Sequence, residues 1–274
     1  MPPTSALPVR TITLQQPMRW LVLAWRDVAH AGWVSFAHGA VLCLIGWGLL
    51  AVARHQFWWL AGAFSGFLVV APVLAVGLYA LSRAVEQNQP RSLRLVIQTW
   101  LSWRQHGSSA DGKDWRLVQF GLLLGLAGTG WVLTSAALIT LFSPVAIQNP
   151  LDFLRLVVLA KDSWLFEIWL ALGGMMAAPM FASSAIALPL LLDKRVSLMQ
   201  AVITSWQAVL ANPVPMAWWA ALIMGFCLLG LGSALLGLVF VIPMLGHASW
   251  HAYRELVDVS GLPDRAPLGE TERG

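Results

Sequence analysis

VPMAWWAALIMGFCLLGLGSALLGLVFVIPMLGHASW, from Val214 to Trp250, contains no Asp, Glu, Lys or Arg. As one helix it would be about 55 Å long, at ~1.5 Å per residue, whereas a bilayer core is about 30 Å thick. The stretch therefore reads as two membrane crossings joined by a tight turn. Glycine permits such a turn, so Gly230-Leu231-Gly232 marks the expected break, with helices over 214–230 and 233–253. Working towards the N-terminus, four more apolar runs reach the roughly 20 residues that a crossing needs. They cover 34–53, 57–82, 117–142 and 164–192, the last stopping at Asp193-Lys194-Arg195.

Composition agrees with this reading. The chain has 274 residues, 58% hydrophobic and 11% charged, whereas soluble domains carry about 25% charged residues. So few charges cannot keep a soluble surface wet. The expected fold is an all-α polytopic membrane bundle. Residues 1–33 form an N-terminal segment, 34–253 the six-helix domain and 254–274 a disordered tail. Pro2, Pro3, Pro8 and Pro17, with no clean apolar region before a small-residue cleavage site, read against a secretory signal.

Positive charge orients the bundle. With the N-terminus in the cytoplasm, only Arg54, Arg155 and Lys161 of the 17 basic residues fall on the opposite side. That bias predicts both termini in the cytoplasm. No basic stretch is long enough for a nucleic-acid footprint. Cys43 and Cys227 lie in apolar runs and read as small buried hydrophobes, not a disulfide framework.

The cytoplasmic connections carry their own pattern. Ser92–Trp103 places Leu93, Val96, Ile97, Trp100 and Leu101 on one helical face, and Ser197–Leu210 repeats the design. Both read as interfacial helices at headgroup depth, with Met18–Ala29 as a third. Ala71-Pro72 and Val96-Ile97-Gln98-Thr99-Trp100 recur as Ala178-Pro179 and Val202-Ile203-Thr204-Ser205-Trp206. The offsets are 107 and 106 residues, which predicts a diverged duplication with both copies running the same way.

Candidate site residues are few. The cores of the six helices lack Asp, Glu, Lys and Arg, which argues against a proton pump. Glu167, one turn into the fourth helix, reads as a headgroup-level residue near Lys161. His247 and His251 lie at i, i+4 on the last helix, the spacing of a metal-binding pair. His38 of the first helix is a third candidate ligand, and a polar helix end is the alternative reading. Pro72, Pro179 and Pro189 lie in apolar helices as expected kinks. Gly62 with Gly66, and Gly121 with Gly125, have the spacing of close helix packing. Phosphate loops, nucleophile elbows and carboxylate pairs are missing, so neither a catalytic residue nor a cofactor is expected.

Several short motifs resemble an uncharacterised bacterial family of predicted integral membrane proteins. They are Trp25 with Asp27; Ser35 with Gly39; Gly66-Phe67; Ala71-Pro72; Gly77-Leu78-Tyr79; and Leu81-Ser82-Arg83. Further along come Ala201 with Ser205 and Asn212, and the ending Pro243, Gly246-His247-Ala248, Trp250-His251, Tyr253-Arg254. The resemblance spans roughly residues 20–257. It implies six spans and an inner-membrane location but no activity. This chain has His38 where the family pattern has an aromatic. The expected function is a non-enzymatic membrane module, either permease-like or an accessory to a larger membrane complex. Its partners would be the bilayer and other membrane subunits or further copies of itself. The alternative is a metal- or haem-binding protein of respiratory-complex assembly.

Overall fold

The computed structural model describes residues 7–53, 57–101, 115–160 and 163–264. In chain order the helices are α1 (Gln16–Ala31), α2 (Trp33–Ala53), α3 (Phe57–Leu74), α4 (Val76–Glu86), α5 (Leu93–Trp100) and α6 (Arg116–Phe142). They continue with α7 (Pro150–Phe153), α8 (Leu165–Ser184), α9 (Ala187–Asp193), α10 (Leu198–Ala211), α11 (Pro213–Gly232) and α12 (Leu238–Leu256). A π-helical turn, Leu154–Val158, follows α7. Trp33–Val52, Arg116–Phe142, Leu165–Asp193 and Pro213–Gly232 are each long and apolar enough to cross a membrane. The chain is an all-α membrane helix bundle.

Three expected boundaries move, each for a physical reason. The 57–82 run is broken at Ala75, whose carbonyl accepts from both Leu78 and Tyr79 as α4 begins. The 164–192 run is broken at Ala185–Ile186. Pro189 stands in the first turn of α9 and has no N–H for the Ala185 carbonyl, so the ladder fails there. The amide of Ile186, freed by the break, donates to Ser205 Oγ at 3.1 Å. Pro189 is thus a helix-start residue and not an interior kink. Pro179 lies inside α8, and Pro72 lies in α3 shortly before its end.

The break between α11 and α12 falls at Ser233–Gly237, after the glycine pair and not within it. A polar residue does mark it. The Ser233 hydroxyl donates to Gly230 O at 2.8 Å and accepts from Gly237 N at 2.7 Å. Ala234 and Leu235 take left-handed φ values of 52° and 71° there. Gly230 remains helical and leaves room for Leu238, whose Cδ2 would lie 2.8 Å from an added Cβ. The expected disordered tail is ordered at its start. α12 runs to Leu256, and Val257 pairs with Val9. Residues 265–274 of that tail lie outside the described residues.

The chain forms two compact units. One holds 1–44, 72–120 and 182–274, and the other 45–71 and 121–181. The second unit has an aromatic centre. Ile139, Ile147, Val157 and Leu165 are buried beneath Phe57, Trp58, Phe153, Phe166 and Trp169. Trp169 donates from Nε1 to Ser135 Oγ at 2.6 Å. A Cβ added at Gly62 would lie 3.6 Å from Val132 Cγ1, whereas one at Gly66 or Gly125 would meet no described atom within 4 Å. Glu167 is exposed in the first turn of α8, whereas Lys161 lies outside the described residues.

The first unit is organised around α12. α1 packs a stripe of Trp20, Leu21, Ala24, Asp27, Val28 and Ala31 inward, at the helical spacing. α5 buries Val96 and Thr99, and α10 buries Ala201, Thr204, Ser205 and Ala208. Their large apolar residues, among them Ile97, Trp100, Met199 and Leu210, face outward. Small and hydroxyl residues inside, bulky apolar ones outside, is the arrangement expected where the surrounding solvent is lipid. Cys43 and Cys227 are buried, free thiols.

α2 meets the start of α12 at Gly39. A Cβ there would lie 2.6 Å from Val239 Cα and 2.7 Å from Val239 O. That carbonyl is the one Pro243 leaves without its helical donor. Gly39→Ala is expected to destabilise the detergent-solubilised protein by about 1–3 kcal/mol through overpacking. Gly48→Ala, at a site with no described atom within 4 Å, should leave the thermal unfolding midpoint unchanged or slightly raised.

Candidate functional site: a polar network at the end of α12

The last turns of α12 carry His247, Trp250, His251, Tyr253, Arg254 and Glu255, and each bonds to another element. His247 is the centre. Its Nε2 lies 2.9 Å from Ser35 Oγ of α2, and its Nδ1 lies 2.6 Å from Ser82 Oγ of α4. Ser82 donates to Asp27 Oδ2 of α1 at 2.5 Å. A hydroxyl has one proton to give. With Ser82 donating to Asp27, Nδ1–H of His247 donates to Ser82, and Nε2 pairs with the Ser35 hydroxyl. His251 closes the group from the rim, with Nε2 3.0 Å from Asp27 Oδ2.

Asp27 is the only acid in this group, and its surroundings hold it ionised. Burial pushes its carboxyl pKa up, but the hydrogen bonds from His251 and Ser82 and the nearby histidine charge outweigh that. The net shift is downward.

The sequence pair His247 and His251 does share a face, but that face converges on a carboxylate. His38 stays apart. Its Nδ1 lies 3.0 Å from Val34 O, and its buried Nε2 has no hydrogen-bond partner among the described residues. That nitrogen lies where a side chain on Gly77 would be, 2.7 Å from an added Cβ. Among the described residues, no group of three or more His, Cys, Asp or Glu is arranged to hold a metal ion.

Ser35, His247, Ser82 and Asp27 have the residue types of an acyl-transfer relay. A nucleophile must meet its substrate, however. Ser35 and His247 are both 0% exposed. The arrangement is therefore a weld between helices: α1, α2, α4 and α12 each contribute one or more members.

A second group lies further along the same end. Asp193, at the end of α9, pairs with Arg83 Nε at 3.0 Å and accepts from the Tyr253 hydroxyl at 2.7 Å. Glu86 accepts from Arg254 at 2.7 Å and from Trp250 Nε1 at 3.1 Å. Glu255 accepts from Gln16 and from Trp20 Nε1, whose ring stands edge-on to Trp219 at 5.5 Å. An N-terminal strap completes the closure. Leu7 N donates to Thr204 Oγ1, Arg10 N to Leu256 O, and Ile12 N to Asn212 Oδ1. Asn212 returns a bond to Arg10 O.

The acids Asp27, Glu86, Asp193 and Glu255 do not stand out in the sequence as site residues, because they sit at helix ends outside the apolar runs. The available signal is the set of short motifs. Asp27, Ser35, Ser82, Arg83, Ser205, Asn212, His247, His251, Tyr253 and Arg254 all lie in them, and all bond within this unit.

Residues 59–193 match the model of a family described as predicted integral membrane protein (DUF2189), a domain of unknown function. This stretch runs from α3 to α9. It includes Ser82, Arg83, Glu86 and Asp193 and ends before α12. No curated protein and no solved structure matches the chain.

The depressed Asp27 carboxyl gives a signed pH dependence. Stability from its ionised form is present above the unfolded value near 4 and is lost as pH falls through the lower folded value. Between pH 7 and 3 the thermal midpoint of the wild type should therefore fall more steeply than that of Asp27→Asn. Ser82→Ala should cost about 1–3 kcal/mol at neutral pH, because it leaves the His247 and Asp27 partners unmatched.

Proposed function

We propose that the chain is a six-span inner-membrane protein with both termini in the cytoplasm, acting as a non-enzymatic accessory module of a membrane complex. α2, α3–α4, α6, α8–α9, α11 and α12 would be the spans. α1, α5 and α10 would lie along the cytoplasmic headgroups, consistent with the exposed Met18, Val22 and Trp25 of α1. The basic-residue bias supports the orientation. The observation that carries the functional reading is where the polar chemistry is spent. In the first unit Asp27, His247, Ser35, Ser82 and Asp193 are buried and bonded to one another or to neighbouring helices. A permease-like role would call for polar groups along a path through the spans, whereas these gather at the end of α12.

The architecture also supports a duplication. α3 to α6 and α8 to α11 repeat one order: a broken apolar helix, a loop, a serine-capped amphipathic helix and a long apolar helix. Ser92 caps Leu95 N and Ser197 caps Gln200 N; Thr99 donates to Leu95 O and Thr204 to Gln200 O. These equivalences put the register of the capped helices at 105 residues, one fewer than the sequence echo.

One observation favours the second reading, a metal- or haem-binding protein of respiratory assembly. The buried Nε2 of His38 offers a lone pair. Purification from native membranes in mild detergent tests both. Stoichiometric co-purification of membrane subunits is the expected result, with a colourless, metal-free chain unaffected by His38→Ala. A monodisperse chain without partner subunits would overturn the accessory role. A visible haem band or bound metal lost in His38→Ala would establish the second reading.

A further inference from the structure

A polar cleft of about 390 Å³ opens beside the end of α12, lined by Arg10, Lys194, Arg254 and the backbone turn Val257–Leu262. Three elements supply its cations: the N-terminal strap, the end of α9 and α12. Two of the carboxylates that face them, Asp258 and Asp264, come from the segment that follows α12, and the other two are Glu86 and Asp193. Asp258 lies 3.5 Å from Arg10, and Asp264 pairs with Lys194. Lys194 is 11% exposed at its side chain, whereas Asp264 is 63% exposed. A nearly buried cation is therefore matched by an acid on the outside of the fold.

The local charge balance depends on that segment. Around the cleft and its neighbour stand Arg10, Arg83, Lys194 and Arg254, against Glu86, Asp193, Asp258 and Asp264. With Asp258 and Asp264 turned away, the four cations would face two carboxylates. The segment is tied to the rest of the unit by Val257 to Val9, Asp258 N to Pro8 O, Arg195 N to Pro263 O and the backbone bridge of Asp264 with Lys194. The Lys194 hydrogen bond and charge hold the Asp264 carboxyl below its ordinary range. For Asp258 the bonds from Ser260 do so first, and Arg10 adds to them.

We propose that this cleft is a phosphate-binding site, and that Asp258 and Asp264 are internal carboxylate stand-ins that a phosphate-bearing ligand displaces. Arginine and lysine converging from separate elements match a phosphate's several acceptor oxygens. The phosphate is either the headgroup of an anionic phospholipid or a free phosphate compound. This inference does not depend on the accessory-module reading. It depends on the charges at the end of α12.

The test uses the full chain in mild non-ionic detergent. Phosphatidic acid, phosphatidylcholine and inorganic phosphate are titrated separately, with bound lipid counted by native mass spectrometry and phosphate binding followed by calorimetry. The expected result is phosphatidic acid or inorganic phosphate binding at least tenfold tighter than phosphatidylcholine, weakening as salt rises. Lys194→Gln with Arg254→Gln should lose that preference. Asp258→Asn with Asp264→Asn, which leaves the cations in place, should tighten binding severalfold by removing the internal competitor. Preference for phosphatidic acid alone identifies a lipid headgroup, and binding of inorganic phosphate identifies a free phosphate source. Equal binding of all three, or unchanged or weaker binding in the Asp258→Asn, Asp264→Asn protein, would overturn the proposal.

Discussion

Asp27 is a carboxylate taken out of water, and the rest of the first unit answers to that fact. A buried charge is costly unless it is paired and hydrogen-bonded. Ser82 and His251 supply the bonds directly, and Ser82 in turn engages His247. His247 then requires a partner on its far side, which is Ser35 of α2. Each satisfied atom fixes the next, so one acid on an amphipathic helix specifies how four helices meet. Apolar surfaces alone would tolerate sliding and rotation. A network of directional hydrogen bonds does not.

The apolar runs were legible because lipid imposes a length and a composition on them, and both can be counted along the chain. Two of the unexpected breaks follow from chemistry that hydropathy averages over. One is an absent N–H at Pro189, and the other is the pair of hydrogen bonds, one donated and one accepted, made by the Ser233 hydroxyl. The site was legible in a different way. Asp27, Ser82 and His247 lie far apart in sequence, and no spacing rule connects a residue of α1 to residues of α4 and α12. What linked them was membership in short motifs, which mark residues without saying what they touch. The i, i+4 histidine pair illustrates the gap: spacing predicts a shared face, but the partner comes from another helix. Asp193 and Glu86 were harder still, since a charge at the end of an apolar run also serves as an ordinary stop signal.

The two short helices α5 and α10 reverse the soluble pattern. Their buried faces hold Thr99, Thr204, Ser205 and alanines, and their outward faces hold tryptophan, leucine and methionine. Thr99 and Thr204 satisfy their own hydroxyls by bonding back to the helix. Ser205 instead serves the broken backbone at Ile186. A defect in one helix is thereby matched by a side chain of another, as membrane helices with interrupted ladders require.

The N-terminal strap has a consequence for biogenesis. Leu7, Pro8 and Arg10 precede every helix of the bundle, yet their partners are Thr204, Asp258 and Leu256. Until the last helix is inserted, the strap has nothing to bind, and Trp20 and Gln16 wait equally for Glu255. This end of the unit can therefore close only after α12 has been made. A chain cut short before α12 would carry its spans but leave α1 undocked, with Asp27 and its apolar stripe open to the proteases that survey unfinished membrane proteins.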